Sequence, residues 1–75
     1  MTYFRTIVTM TNGLHKSLRL SRDQVAHVVY EVNKFRKSIF REVKKITLNG
    51  IELCLNEIIS WKFINEYTHE ELLTI

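Results

Sequence analysis

The strongest constraint on this chain lies at residues 21–40. Val25, Val28, Val29, Val32, Phe35 and Ile39 recur at steps of three and four, which places them in one apolar stripe along a helix. Ser21 and Gln24 have capping-box spacing, with the serine oxygen able to accept the amide proton of residue 24 while the glutamine reaches back. Asp23 in the first turn and Lys34, Arg36 and Lys37 near the end suit the helix dipole. Four valines lower the intrinsic propensity of this helix, so its stability must come from packing. The rest of the chain has to supply the surface it packs on.

Short strands are the expected supply. Residues 3–10 are rich in Thr, Ile, Val and aromatics, and residues 14–20 alternate Leu14, Leu18 and Leu20 with His15, Ser17 and Arg19. A three-residue loop with Gly13 in the left-handed bulge position sets Met10 opposite Leu14 and Phe4 opposite Leu20. A two-residue Asn12-Gly13 turn would instead set Met10 against His15. The first register joins apolar to apolar and predicts that Phe4, Val8, Met10, Leu14, Leu18 and Leu20 face the helix. Further on, residues 46–48 and 51–55 flank Asn49-Gly50, the preferred type I′ pair, which puts Leu48 opposite Ile51 and Ile46 opposite Leu53. Asn56-Glu57 reads as a turn and 58–64 as another strand. Its inward face is open at this level, because Ile59, Trp61 and Phe63 compete with Ile58 and Ile64. In the tail, 65–75, Thr68 and Glu71 have capping-box spacing, so a single helical turn or a docked or frayed end is expected. The reading is one α+β domain over 1–75, in the order β-β-α-β-β-β, comprising an N-terminal hairpin 3–20, helix 21–40, strands 46–64 and tail. An antiparallel sheet packs on the one central helix.

A chain of 75 residues buries only ~60–65% of its unfolded surface and reaches a few kcal/mol of stability, which leaves room for a dimer. Cys54 is the only cysteine, so no internal disulfide can form, and a reducing cytoplasmic setting is the simplest expectation. No signal-like leader and no apolar run of ~20 residues is present, so no membrane partner is expected. Frequent Ile, Lys and Asn without proline suggest an AT-rich coding sequence, as in a phage or other mobile element.

The net charge of +3 conceals an asymmetry. Residues 1–45 hold ten Lys and Arg against Asp23, Glu31 and Glu42, a net of +7; residues 46–75 hold Lys62 against five glutamates, a net of −4. The densest basic run includes Lys34, Lys37, Arg41, Lys44 and Lys45, which together are candidates for contact with a nucleic-acid backbone. A solvated helix end, matched by the acidic C-terminal half, explains the same charges without a ligand. The C-terminal apolar surplus points elsewhere. Trp61, Phe63 and Tyr67 are of the residue types enriched at contact anchors, and are the candidates for a protein-contact surface.

Catalysis has little to build on. Cys54 as nucleophile with His15, His27 or His69 as base is the one conceivable set, yet Cys54 sits in an alternating strand where nothing activates it. The histidines and Cys54 show no C-x-x-C or H-x-x-x-H spacing for metal, and both Asn-Gly pairs are turn residues rather than a phosphate loop. An enzyme, a cofactor and a small-molecule substrate are not expected.

Lys16-Ser17-Leu18-Arg19-Leu20-Ser21-Arg22-Asp23-Gln24-Val25, followed by the amphipathic helix, resembles the strand and first helix of ribbon-helix-helix repressors. The resemblance covers roughly 25 residues and implies strand pairing between two chains, with Lys16 or His15, Ser17 and Arg19 directed at the DNA major groove. The sequence departs from that pattern where the family has its second helix, since 46–55 reads as a hairpin. The expectation carried forward is a non-catalytic binding or regulatory module acting through protein contact, as a homodimer or on another protein. Nucleic-acid binding through the basic run is the alternative.

Overall fold

A computed structural model describes residues 1–39 and 42–75; Phe40 and Arg41 lie outside the described residues. The chain is a small α+β domain with one helix, an antiparallel four-stranded sheet and a separate hairpin. In chain order the elements are β1 (Tyr3–Met10), β2 (His15–Ser21), α1 (Arg22–Lys37), β3 (Lys45–Leu48), β4 (Ile51–Cys54), a 3₁₀ turn (Leu55–Glu57), β5 (Ile58–Asn65) and β6 (Glu71–Thr74). The large sheet runs β2-β1-β5-β6, and among the described residues β3 pairs only with β4.

The first hairpin takes the three-residue loop. Phe4 lies opposite Leu20, Gly13 has φ +86° and donates to the Met10 carbonyl, and Met10 N–H donates to the Leu14 carbonyl at 2.8 Å. Phe4, Val8, Met10, Leu18 and Leu20 are buried, but Leu14 is exposed. It stands at the mouth of the loop, beyond the reach of the layer that covers the other five. The inner face also holds Thr6, fully buried between Leu18 and Phe63 on the flanking strands.

Helix α1 begins at the capping box. Gln24 N–H donates to Ser21 Oγ at 3.3 Å, and Ser21 N–H donates to Gln24 Oε1 at 2.9 Å. Val25, Val28 and Val32 are buried, with Val29 and Phe35 packed at the margin of the core. The helix stops at Lys37, shorter than the periodic stripe, so Ile39 is 91% exposed. Ser38 is already extended, and Arg36 spends a guanidinium hydrogen bond on the Ile59 carbonyl of β5, 3.0 Å away. Beyond the described gap, Asn56 Oδ1 accepts from Lys44 N–H at 3.0 Å and Lys44 O accepts from Leu55 N–H at 2.8 Å, which aims the chain into β3.

The second hairpin has the expected register, with Leu48 opposite Ile51 and Ile46 opposite Leu53. Asn49 at φ 51° and Gly50 at φ 78° supply the two left-handed positions of a type I′ turn. Ile46, Leu48, Leu53 and Leu55 join the same apolar core as the helix and the sheet.

Strand β5 resolves its two competing faces with a bulge. Thr9 pairs with Ser60 but Met10 pairs with Ile58, so Ile59 is the extra residue. Trp61 and Phe63 therefore point inward with Ile58, while Ile59 is turned to solvent. The tail is a strand rather than a helical turn. Asn65 Oδ1 accepts from the backbone N–H of Tyr67 and Thr68, which closes a tight turn and returns the chain as β6 against β5. Thr68 Oγ1 accepts from Glu70 N–H within this turn. Leu73 pairs with Phe63, and Ile75 exchanges two backbone hydrogen bonds with Trp61.

Candidate functional site

The two groups of candidate residues meet different fates in the fold. Trp61 and Phe63 are 1% and 0% exposed, with their rings stacked at 6.5 Å in the centre of the core. They offer no surface to a partner, which withdraws them as contact anchors. Tyr67 is different. It sits in the turn before β6 and is 85% exposed.

The basic run is divided. Lys44 Nζ lies 3.7 Å from Glu31 and Lys45 Nζ lies 3.2 Å from Glu52, so both lysines have acidic neighbours. Lys34 Nζ sits over the ring of Tyr30, 5.8 Å from its centroid. Lys37 is exposed in the last turn of α1, and Arg41 lies outside the described residues.

What the helix end does assemble is an apolar groove. Its volume is about 190 Å³ and its walls are Glu31, Lys34, Phe35, Ser38, Glu42, Val43 and Lys44. Phe35 lines it while packing at the margin of the core, in the last turn of α1 that Arg36 ties to β5. Val43, in the segment that Asn56 directs into β3, is 73% exposed beside it. Tyr30 and Ile39, the sequence neighbours of Glu31 and Ser38 in its wall, are also exposed. The rim carries both signs, Glu31 and Glu42 with Lys34 and Lys44. Sequence periodicity assigned Ile39 to the core and left Val43 unassigned, because the early stop of the helix could not be read without a glycine or proline to mark it.

The large sheet has one covered face and one open face. Tyr3, Arg5, Ile7 and Thr9 of β1 point outward with Ser17 and Arg19 of β2 and Lys62 and Ile64 of β5. Arg19 Nε lies 2.9 Å from Glu66 Oε2, and the Arg19 guanidinium stacks 4.0 Å over the ring of Tyr3. The hydrogen bond from Arg19 holds the Glu66 carboxyl below the usual carboxylate range, and reciprocally raises Arg19. Lys62 Nζ lies 3.4 Å from Glu71.

Cys54 is half-buried, its Sγ 3.6 Å from Asn56 Oδ1, and His15 Nδ1 is 3.1 Å from Thr9 Oγ1. Among the described residues no three His, Cys, Asp or Glu side chains gather as a metal site, and no helix is long and apolar enough to cross a membrane. Strand β2 is paired to β1 within the chain, and a hairpin follows α1, so the geometry departs from a ribbon-helix-helix arrangement. No known protein family, no curated protein and no solved structure matches this chain.

Proposed function

We propose that this protein is a non-catalytic binding module that works through protein contact, and that its first partner is a second copy of itself. The observation that carries the reading is the groove at the end of α1, floored by Phe35 and Val43 and flanked by exposed Ile39 and Tyr30. Single exposed apolar residues are ordinary, whereas a group around a concavity marks a contact surface. A two-fold interface sets the same patch against itself, so it must be self-complementary. The rim satisfies this, since Glu31 and Glu42 of one copy can meet Lys34 and Lys44 of the other. Covering the groove also buries apolar surface that the small core leaves outside.

Ile39→Asp combined with Val43→Asp tests the assignment. Neither side chain is in the core, so the circular dichroism spectrum is expected to stay unchanged while self-association is lost. A double variant that associates as well as the wild type would place the contact elsewhere.

A further inference from the structure

We propose that Asn12 is a site of spontaneous covalent modification, losing its side-chain amide to attack by the Gly13 backbone nitrogen. The same dipeptide at Asn49-Gly50 is held unreactive by its contacts with the helix and the sheet. The Asn12 site lies in the β1–β2 loop and shares no residue with the groove at the helix end.

The chemistry needs only the chain and water. The Gly13 amide gives its proton to hydroxide, and its nitrogen forms a bond to Cγ of Asn12. The Cγ–Nδ2 bond breaks, and the nitrogen takes a proton from water and leaves as ammonia. Water then opens the cyclic imide at either carbonyl. One product is aspartate; the other is isoaspartate, in which the main chain runs through Cγ.

Access does not choose between the two pairs. Both asparagines are exposed, and nothing lies within 4 Å of where a Cβ would stand on Gly13 or Gly50. The side-chain contacts choose. Asn12 Oδ1 accepts from the N–H of Leu14 at 3.0 Å, the residue just past Gly13. This turn folds the amide over the Gly13 peptide, and sets a donor on the oxygen where negative charge develops during attack. Asn12 Nδ2, the leaving group, has no hydrogen-bond partner among the described residues. Asn49 is held at both atoms: Oδ1 accepts from Gln24 Nε2 and Nδ2 donates to the Arg19 carbonyl, each at 2.8 Å. These bonds draw its amide away from its own turn, towards α1 and β2. Asn65 supplies the third case. Its Oδ1 also accepts from following backbone N–H groups, but Glu66 stands where a glycine is needed for close approach.

One bond opposes the step. Gly13 N–H donates to the Met10 carbonyl at 3.0 Å and must open before its proton is lost. It closes an exposed loop, where opening is local and inexpensive. The aspartate product keeps an oxygen for the Leu14 N–H. Isoaspartate lengthens the main chain inside the loop that sets the β1–β2 register, and so loosens that hairpin.

The test is peptide mapping by mass spectrometry of the full chain aged in mildly alkaline buffer, with aspartyl and isoaspartyl peptides separated. The expected result is an amide-to-acid mass gain at Asn12, at a rate that rises with pH. Loss at Asn49 is expected to be at least about fivefold slower, the factor that one net hydrogen bond supplies. Gln24→Ala is expected to raise the Asn49 rate about fivefold while the Asn12 rate stays put, which separates loss of the clasp from general loosening. In concentrated urea the two rates should converge. Faster or equal loss at Asn49 in the folded chain would overturn the proposal. So would a Gln24→Ala chain in which Asn49 is no faster, or a difference between the pairs that persists in urea.

Discussion

Gln24 Nε2 donates a 2.8 Å hydrogen bond to Asn49 Oδ1, joining the first turn of the helix to the tip of the β3–β4 hairpin. Both residues do this while serving another role. Gln24 Oε1 closes the capping box, and Asn49 occupies a left-handed turn position while its Nδ2 donates to the Arg19 carbonyl on β2. Among the described residues the hairpin joins no larger sheet, so this polar clasp and the shared apolar core help to hold it in place.

Two substitutions separate these roles. Asn49→Gly keeps the turn conformation and loses the clasp, an expected cost of about 1 kcal/mol for solvent-accessible hydrogen bonds. Asn49→Ala adds the left-handed strain of an ordinary residue, a further ~1 kcal/mol. Urea unfolding of both should rank wild type above Gly above Ala. Equal stability of all three would mean that the clasp contributes nothing.

Thr6 makes the opposite prediction. Its hydroxyl is fully buried and has no hydrogen-bond partner among the described residues. A hydroxyl buried in this way costs ~1–3 kcal/mol, and valine has the same branched shape without it. Thr6→Val is therefore expected to raise the unfolding free energy by about 1 kcal/mol. A loss of stability would show that the hydroxyl is satisfied in solution.

Trp61 is the largest fully buried side chain. Its truncation to alanine is expected to cost ~3–5 kcal/mol, comparable to the whole stability of a chain this short. Trp61→Ala should unfold the protein, with loss of amide dispersion in a two-dimensional NMR spectrum. A folded variant with altered self-association would restore Trp61 as an interface residue.

The Arg19–Glu66 pair sets an acid-limb dependence. Hydrogen bonding from Arg19 lowers the folded-state pKa of Glu66 below the unfolded value, roughly 4.3 for glutamate. Through the window between the two values the unfolded chain binds the extra proton. The contribution of the pair is thus complete above the unfolded pKa and is lost as pH falls through the folded one. An NMR titration should find the Glu66 carboxyl below the ordinary glutamate range, and Arg19→Gln should move it back up. No movement would mean that the pair is not populated in solution.

Most of the architecture was legible because its signals are local. The Ser21/Gln24 box, the Asn49-Gly50 turn and the apolar pairing of Phe4 with Leu20 are short-range patterns, and each recurs in the fold. The misses share another cause. Ile39 left the core because the helix stopped with Arg36 held on β5, a contact with a residue more than twenty positions away. The bulge at Ile59 shifts the phase of β5, and period-two reasoning cannot find a phase shift from one strand alone. The surface was least legible. Nothing local distinguishes a buried Trp61 from an anchoring one, or a paired Lys44 from a free Arg5; only the tertiary neighbours do.

The central claim is that two copies meet at the groove of Phe35 and Val43. Sedimentation equilibrium over a range of protein concentrations tests it most directly. The account predicts a mass that rises with concentration towards twice the 9.0 kDa of one chain. A constant mass of one chain at every concentration would contradict it.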